Sequence, residues 1–240
     1  MNNLRLPPKL GQEITVFIKN LKEIYSGDLL SVILYGSAAS GEFVTGHSNL
    51  NILVILKSTE LLFLKQSSKI VKRSRNLTPL FLTKEYILSS TGIFPIEFLD
   101  MRENYIVLYG QDVIKEIHVD LRNLRFQCEQ ELKAKLLNLK QAYLSLNRQP
   151  ANLKELLFKS FGSILHILRN VLRLKGIQPD YQKEDLLKEL AAHLKIDICH
   201  WEKILKAKLK KIKLSKTEIE ELFLAWVDNL EKVVQEVDAL

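Results

Sequence analysis

The spacing of apolar residues changes once along this chain, and that change constrains its fold more than any other feature. Up to about residue 117, short apolar runs alternate with stretches of helical period; beyond it almost every apolar position falls at helical spacing. A single regular architecture cannot satisfy both patterns. The expectation is an α+β protein, with a mixed β-sheet domain over 1–116 and an all-α antiparallel helical bundle over 117–240. With 240 residues and 47% hydrophobic composition, each part can bury its own core.

In the first part, Ile14, Phe17, Ile18, Leu21 and Ile24 predict a helix over 11–26, with Ser26-Gly27-Asp28 as its stop. Leu29 to Tyr35 and Leu50 to Leu56 are continuous apolar runs suited to neighbouring buried strands. A helical segment is expected over 59–75, a short strand over 79–83, a helix over 84–90, and strands over 94–99 and 105–109. Further on, helices are expected to break at 147–150 and at Gly176 and Pro179, with later helices over 182–195, 198–211 and 215–237. Ser215 with Glu218, or Thr217 with Glu220, offers a capping box for the last.

The stretch between the two apolar runs carries the chemistry. Leu34-Tyr35-Gly36-Ser37 ends one run, and Asn49-Leu50-Asn51 opens the next. Gly36 permits a sharp turn and close approach of a phosphate, while Ser37 adds a hydroxyl where a helix start offers free amides. Positions 49 and 51 share one strand face, because side chains alternate with period two. Carboxylates there would hold a divalent cation beside the phosphates, and a third from a neighbouring strand would bind a second ion.

This pattern resembles the nucleotidyltransferase signature of the DNA polymerase β superfamily, in which a strand ends in Gly-Ser, a short helix begins, and Asp-x-Asp opens the next strand. FPIEFLD and VLYGQDV resemble later segments of predicted bacterial and archaeal nucleotidyltransferases. The resemblance covers about the first 115 residues by motif and the remainder by architecture. It implies a nucleotide- or phosphate-binding site at Gly36 and Ser37, and it makes Asn49 and Asn51 the degenerate counterparts of two metal-binding aspartates. Glu97 is the preferred third carboxylate: Asp100 would fall on the opposite face of a strand, and Phe94, Ile96 and Phe98 would face the core.

Amide oxygens bring no negative charge to a cation. The metal supplies on the order of several kcal/mol of transition-state stabilisation, so losing it should cost at least ~1000-fold in rate. The expected function is therefore a nucleotidyltransferase-fold protein without catalysis, whose cleft binds nucleotide or phosphate. No metal site or cofactor is expected, Mg²⁺ entering only if the site is active. One alternative is an active transferase moving a nucleoside monophosphate onto a small molecule, protein or RNA, using Glu97 and Glu42 as the remaining acids. Another is an antitoxin-like or RNA-binding scaffold. A protein partner or homo-oligomer fits any of these.

The formal charge is +7, concentrated in Lys203, Lys206, Lys208, Lys210, Lys211, Lys213 and Lys216, with a smaller group at Lys69, Lys72, Arg73 and Arg75. Such runs attract phosphate or RNA. Interleaved Ile204, Leu205, Leu209, Ile212 and Leu214 instead suggest the solvated face of an amphipathic helix, and charge alone supports nucleic acid. Cys128 and Cys199 belong to no zinc-type cluster and read as two buried thiols; His166 lies in an apolar context and His47 beside a glycine. No run reaches the roughly 18 apolar residues of a membrane span, and the first ten residues lack a signal-peptide core, so a cytoplasmic protein is expected.

Overall fold

Both faces of the sheet in the first unit are covered by helices, and the order of its strands follows from what each apolar run can reach. The structure is a computed structural model; it describes residues 6–40, 50–146, 150–180, 182–194 and 196–239, with only the backbone at Ser37. The chain divides into two units, Met1–Asp120 and Leu121–Leu240.

Helix α1 (Pro8–Tyr25) starts on a proline, whose fixed φ suits a first helical position and whose missing N–H is no loss there. It leads to β1 (Leu29–Tyr35), α2 (Ser37–Ser40) and β2 (Leu50–Leu56). Then come α3 (Leu61–Leu64), α4 (Ser68–Arg73), β3 (Leu77–Thr83), α5 (Lys84–Ser90), α6 (Pro95–Glu103) and β4 (Tyr105–Gly110). The sheet order is β3-β2-β1-β4. β1 runs antiparallel to β2 and β4, whereas β2 and β3 are parallel, the crossover running through 57–76. A parallel pair needs a connection of that kind.

Alternation then assigns the two cores. Val32, Leu34, Ile52, Val54 and Leu56 pack with Leu10, Ile14, Phe17 and Leu21 of α1, while Ile33, Leu53 and Ile55 pack with Ile87 of α5 and Phe98 and Met101 of α6. β1 and β2 are apolar on both faces because both are covered.

Three expectations for this unit change. Residues 94–99 are not a strand: α6 spans Pro95–Glu103, and its buried Pro95, Ile96, Phe98, Leu99 and Met101 follow helical spacing. Residues 59–75 do not form one helix but two short ones joined by a 3₁₀ turn. The sheet therefore ends with one strand, β4, after the β3 crossover rather than two.

The second unit holds α7 (Leu121–Ser145), α8 (Pro150–Leu174), α9 (Lys183–Leu194), α10 (Cys199–Lys208) and α11 (Lys216–Asp238). α7, α8 and α11 pack mutually, and α9 and α10 close over α8 and α11. At the centre Trp226 meets Trp201 edge-on at 4.8 Å and Phe161 at 5.2 Å, and its Nε1–H donates to Ser160 Oγ at 3.2 Å. Truncating either buried tryptophan to alanine should cost about 3–5 kcal/mol.

The ends of these helices are chemically specified. Gly176, at φ +76°, closes α8: its N–H reaches the Arg173 carbonyl, and the Ile177 N–H reaches Leu172. The capping box at α11 is Ser215 with Glu218. Glu218 also accepts from Lys203 at 2.7 Å, and that bond, followed by those from Ser215, holds its carboxyl down at about 2.

Elsewhere the bundle corrects the sequence. α10 stops at Lys208, because Lys210 takes φ +60° and its N–H and that of Lys211 return to Ala207 and Lys206. Leu209 and Ile212 are exposed, so the lysine run is not one helix face. Lys203, Lys206 and Lys211 pair with Glu218, Glu202 and Glu184. Cys199 is exposed while Cys128 is buried, and His166 faces solvent.

Candidate functional site

The turn that ends β1 is set by one glycine. Gly36 has φ +76°, a region that costs any residue with a Cβ. Its N–H donates to the Asn104 carbonyl at 3.0 Å, and its own carbonyl accepts from the N–H of Ala39 at 2.8 Å and of Ser40 at 3.1 Å. The chain therefore passes directly from strand into α2, whose first amides have no acceptor within the helix. A Cβ on Gly36 would stand 3.3 Å from Asn51 Nδ2. The structure thus brings Gly36 and Asn51 together; Asn49 and the loop 41–49, with Glu42 and His47, lie outside the described residues.

Strand register supplies the rest of the row. Tyr35 faces Asn51 on one side and Tyr105 on the other, and Asn51 faces Thr78 of β3. Across this end of the sheet the residues read Thr78, Asn51, Tyr35, Tyr105, with no carboxylate among them. Burial pushes the Tyr35 hydroxyl above its ordinary value, and burial together with the Asp112 carboxylate, 3.1 Å away, does the same for Tyr105. Asn104, whose carbonyl holds Gly36, has a buried side-chain Nδ2 with no acceptor among the described residues.

The ground for choosing Glu97 over Asp100 does not survive. Both lie on α6, where a separation of three places them on neighbouring rather than opposite positions, and Glu97 is exposed in the first turn. The strand beside β2 that a third carboxylate would occupy is β3, and its residue opposite Asn51 is Thr78. Sequence reasoning missed Thr78, Tyr35 and Asn104, since strand partners are not visible in local spacing. Mg²⁺ is ordinarily held through one or two carboxylates. Among the described residues there is no group of three or more His, Cys, Asp or Glu that could hold a metal ion.

Comparison with solved structures places the fold. The spectinomycin adenyltransferase AAD(9) from Enterococcus faecialis, solved with ATP and spectinomycin, matches with a TM-score of 0.60 at 12% identity, over 93% of this chain and 98% of that one. A candidate nucleotidyltransferase from Sulfolobus solfataricus matches over 45% of this chain and 94% of its own at 15% identity, with a TM-score of 0.26, too low to carry weight. No family model matches the chain, and no curated protein matches it. The chain shares its fold with that adenyltransferase, a mixed sheet followed by an all-α bundle. No helix among the described residues is long and apolar enough to cross a membrane.

Proposed function

We propose that this protein uses a nucleotidyltransferase fold without nucleotidyl transfer, keeping the turn at Gly36 and Ser37 as a binding place for a phosphate or nucleotide in a regulatory or partner-binding role. The observation that carries the reading is the register that sets neutral Thr78 beside neutral Asn51 under the Gly36 turn. Asn49 is neutral by sequence. Charge-neutral groups thus stand where two-metal chemistry requires anions.

The same neutrality favours an anion without a metal. No carboxylate in the row repels it, Gly36 has no side chain to hold it at a distance, and the whole chain carries +7. Adenylyl transfer, the activity for which the structural neighbour is named, is not part of this reading, and Glu97 has no role in it.

Calorimetry with ATP, with and without Mg²⁺, tests the proposal, alongside a product assay with the four nucleoside triphosphates. The expected result is weak binding indifferent to Mg²⁺, no nucleotidylated product, and weaker binding in Ser37→Asp with the circular dichroism unchanged. Tight, Mg²⁺-dependent binding with turnover would overturn it, as would equal affinity in wild type and Ser37→Asp.

A further inference from the structure

The helical unit contains a half-buried ammonium group that has no counter-charge among the described residues. Lys208, the last residue of α10, lays its Nζ against α8, where it donates to the Phe158 carbonyl. Gly162 makes the room: a Cβ there would stand 3.0 Å from Nζ. The group is half-buried, and Lys208 has no carboxylate partner among the described residues. Burial, and then the like charge of Lys183, push its pKa down. Desolvating a cation without a counter-charge is unfavourable.

Beside it lies an open cavity of about 610 Å³, lined by Ala151, Lys154, Glu155, Phe158, Lys159 and Lys208. Lys154 rests over the Phe158 ring at 5.4 Å, and neither it nor Lys159 has an ion pair among the described residues. Three unpaired ammonium groups therefore share one cavity with a single carboxylate. Ala151 belongs to the first turn of the 25-residue α8, whose positive dipole end adds to the field. One of the three N–H groups of Lys208 is used by Phe158, which leaves two for a ligand.

We infer that this cavity is a binding site for a small oligophosphate, held by Lys154, Lys159 and Lys208 without a metal ion. It is independent of the turn at Gly36. The chemistry is common to inorganic triphosphate and to the phosphate tail of a nucleotide, and these two sources can be separated.

The test is calorimetry of the full chain with inorganic triphosphate, free of Mg²⁺, at low and high salt. Lys208→Met should lower the affinity about tenfold and Lys159→Gln about threefold. Lys213→Gln removes the same charge from an exposed position and should leave affinity within about twofold. An equal loss at Lys208 and Lys213 would overturn the inference, since the attraction would then be diffuse. Because Lys208→Met could loosen α10 from α8, side-chain NMR of wild-type lysines gives a second measurement: triphosphate should raise the Lys208 pKa, and an unmoved pKa also overturns the site. ATP binding like triphosphate, with adenosine silent, assigns recognition to the phosphates; adenosine binding as well as ATP sinks it. Ser37→Asp should leave the Lys208-dependent binding intact, so failure of the Gly36 site and failure of this one give different results.

Discussion

Two glycines turn the chain at opposite ends of the same sheet, and they differ in what surrounds them. Gly110 ends β4 at φ +80°, and a Cβ there would fall 2.0 Å from the carbonyl oxygen of Leu30. Gly36 ends β1 at φ +76°, and its nearest obstacle is the Asn51 amide at 3.3 Å. Around Gly110 the backbone is tied down: Ser31 Oγ–H lies 3.0 Å from the Tyr109 carbonyl and 2.7 Å from that of Gln111, and Gln111 N–H donates to Leu30. One end is closed by packing. At the other, the nearest atom is a side-chain amide that can give way, beside a row of neutral polar groups.

The largest effect that would break this contrast is a loss of stability. Gly110→Ala should cost about 3 kcal/mol or more, because left-handed backbone strain adds to a clash with a main-chain atom that cannot move aside. Gly36→Ala meets the same φ but only a side-chain amide, and should cost about 1 kcal/mol. Denaturant unfolding of both variants measures the difference. Equal losses would mean that Gly36 too is held by packing.

A smaller effect sharpens the contrast from the side of charge. Replacing Asn49 and Asn51 by aspartate introduces two carboxylates two residues apart in the sequence, and Mg²⁺ affinity should rise on the order of tenfold or more. Without the ion the two charges repel, so the variant should melt lower than wild type and recover when Mg²⁺ is added. Calorimetry and thermal melts with and without the ion check both. If Mg²⁺ remains undetectable in the double variant, the Gly36 end is no remnant of a metal centre.

How much of this was legible beforehand depends on whether the signal was local. β1, β2 and α5 match the expected ranges to the residue, because their signals lie in neighbouring positions; the structure adds a Thr83 cap to α5, its hydroxyl accepting from Tyr86 N–H. α6 was misread because Phe94, Ile96 and Phe98 alternate like a strand. The competing signal was Pro95 at the first helical position, with Glu97 in the first turn and Arg102 in the last. α10 was read too long, since its stop uses a lysine in a conformation that usually announces itself as glycine. At the site, Gly36 and Asn51 were visible as a motif. Thr78 was not, because a parallel partner across a crossover leaves no trace in spacing. Nor was Lys208, whose setting depends on Gly162 in another helix.

The smallest effect concerns the two tyrosines in the row at the Gly36 end. Tyr35 is raised from its ordinary value of 10.0 by burial alone, whereas Tyr105 is raised by burial and by Asp112. A phenol whose pKa is higher folded than unfolded favours folding fully at pH below its unfolded value, and that contribution is lost as pH rises through the folded value. Stability should therefore fall on the alkaline side above about 10, and the fall should be shallower in Tyr35→Phe. Near neutral pH that substitution should change stability by less than about 0.5 kcal/mol. Tyr105→Phe removes a hydrogen bond to a carboxylate and should cost about 1 kcal/mol there. Tyrosinate absorbance against pH, followed for wild type and both variants, separates the two: each substitution should remove one late-titrating step. If an anion occupies the turn at Gly36, adding phosphate should push the Tyr35 step still higher, because the neighbouring charge opposes a second one. A Tyr35 step that titrates at its ordinary value and ignores phosphate would mean that this end of the sheet is wetter than its burial implies, and that the anion, if bound, lies away from the row.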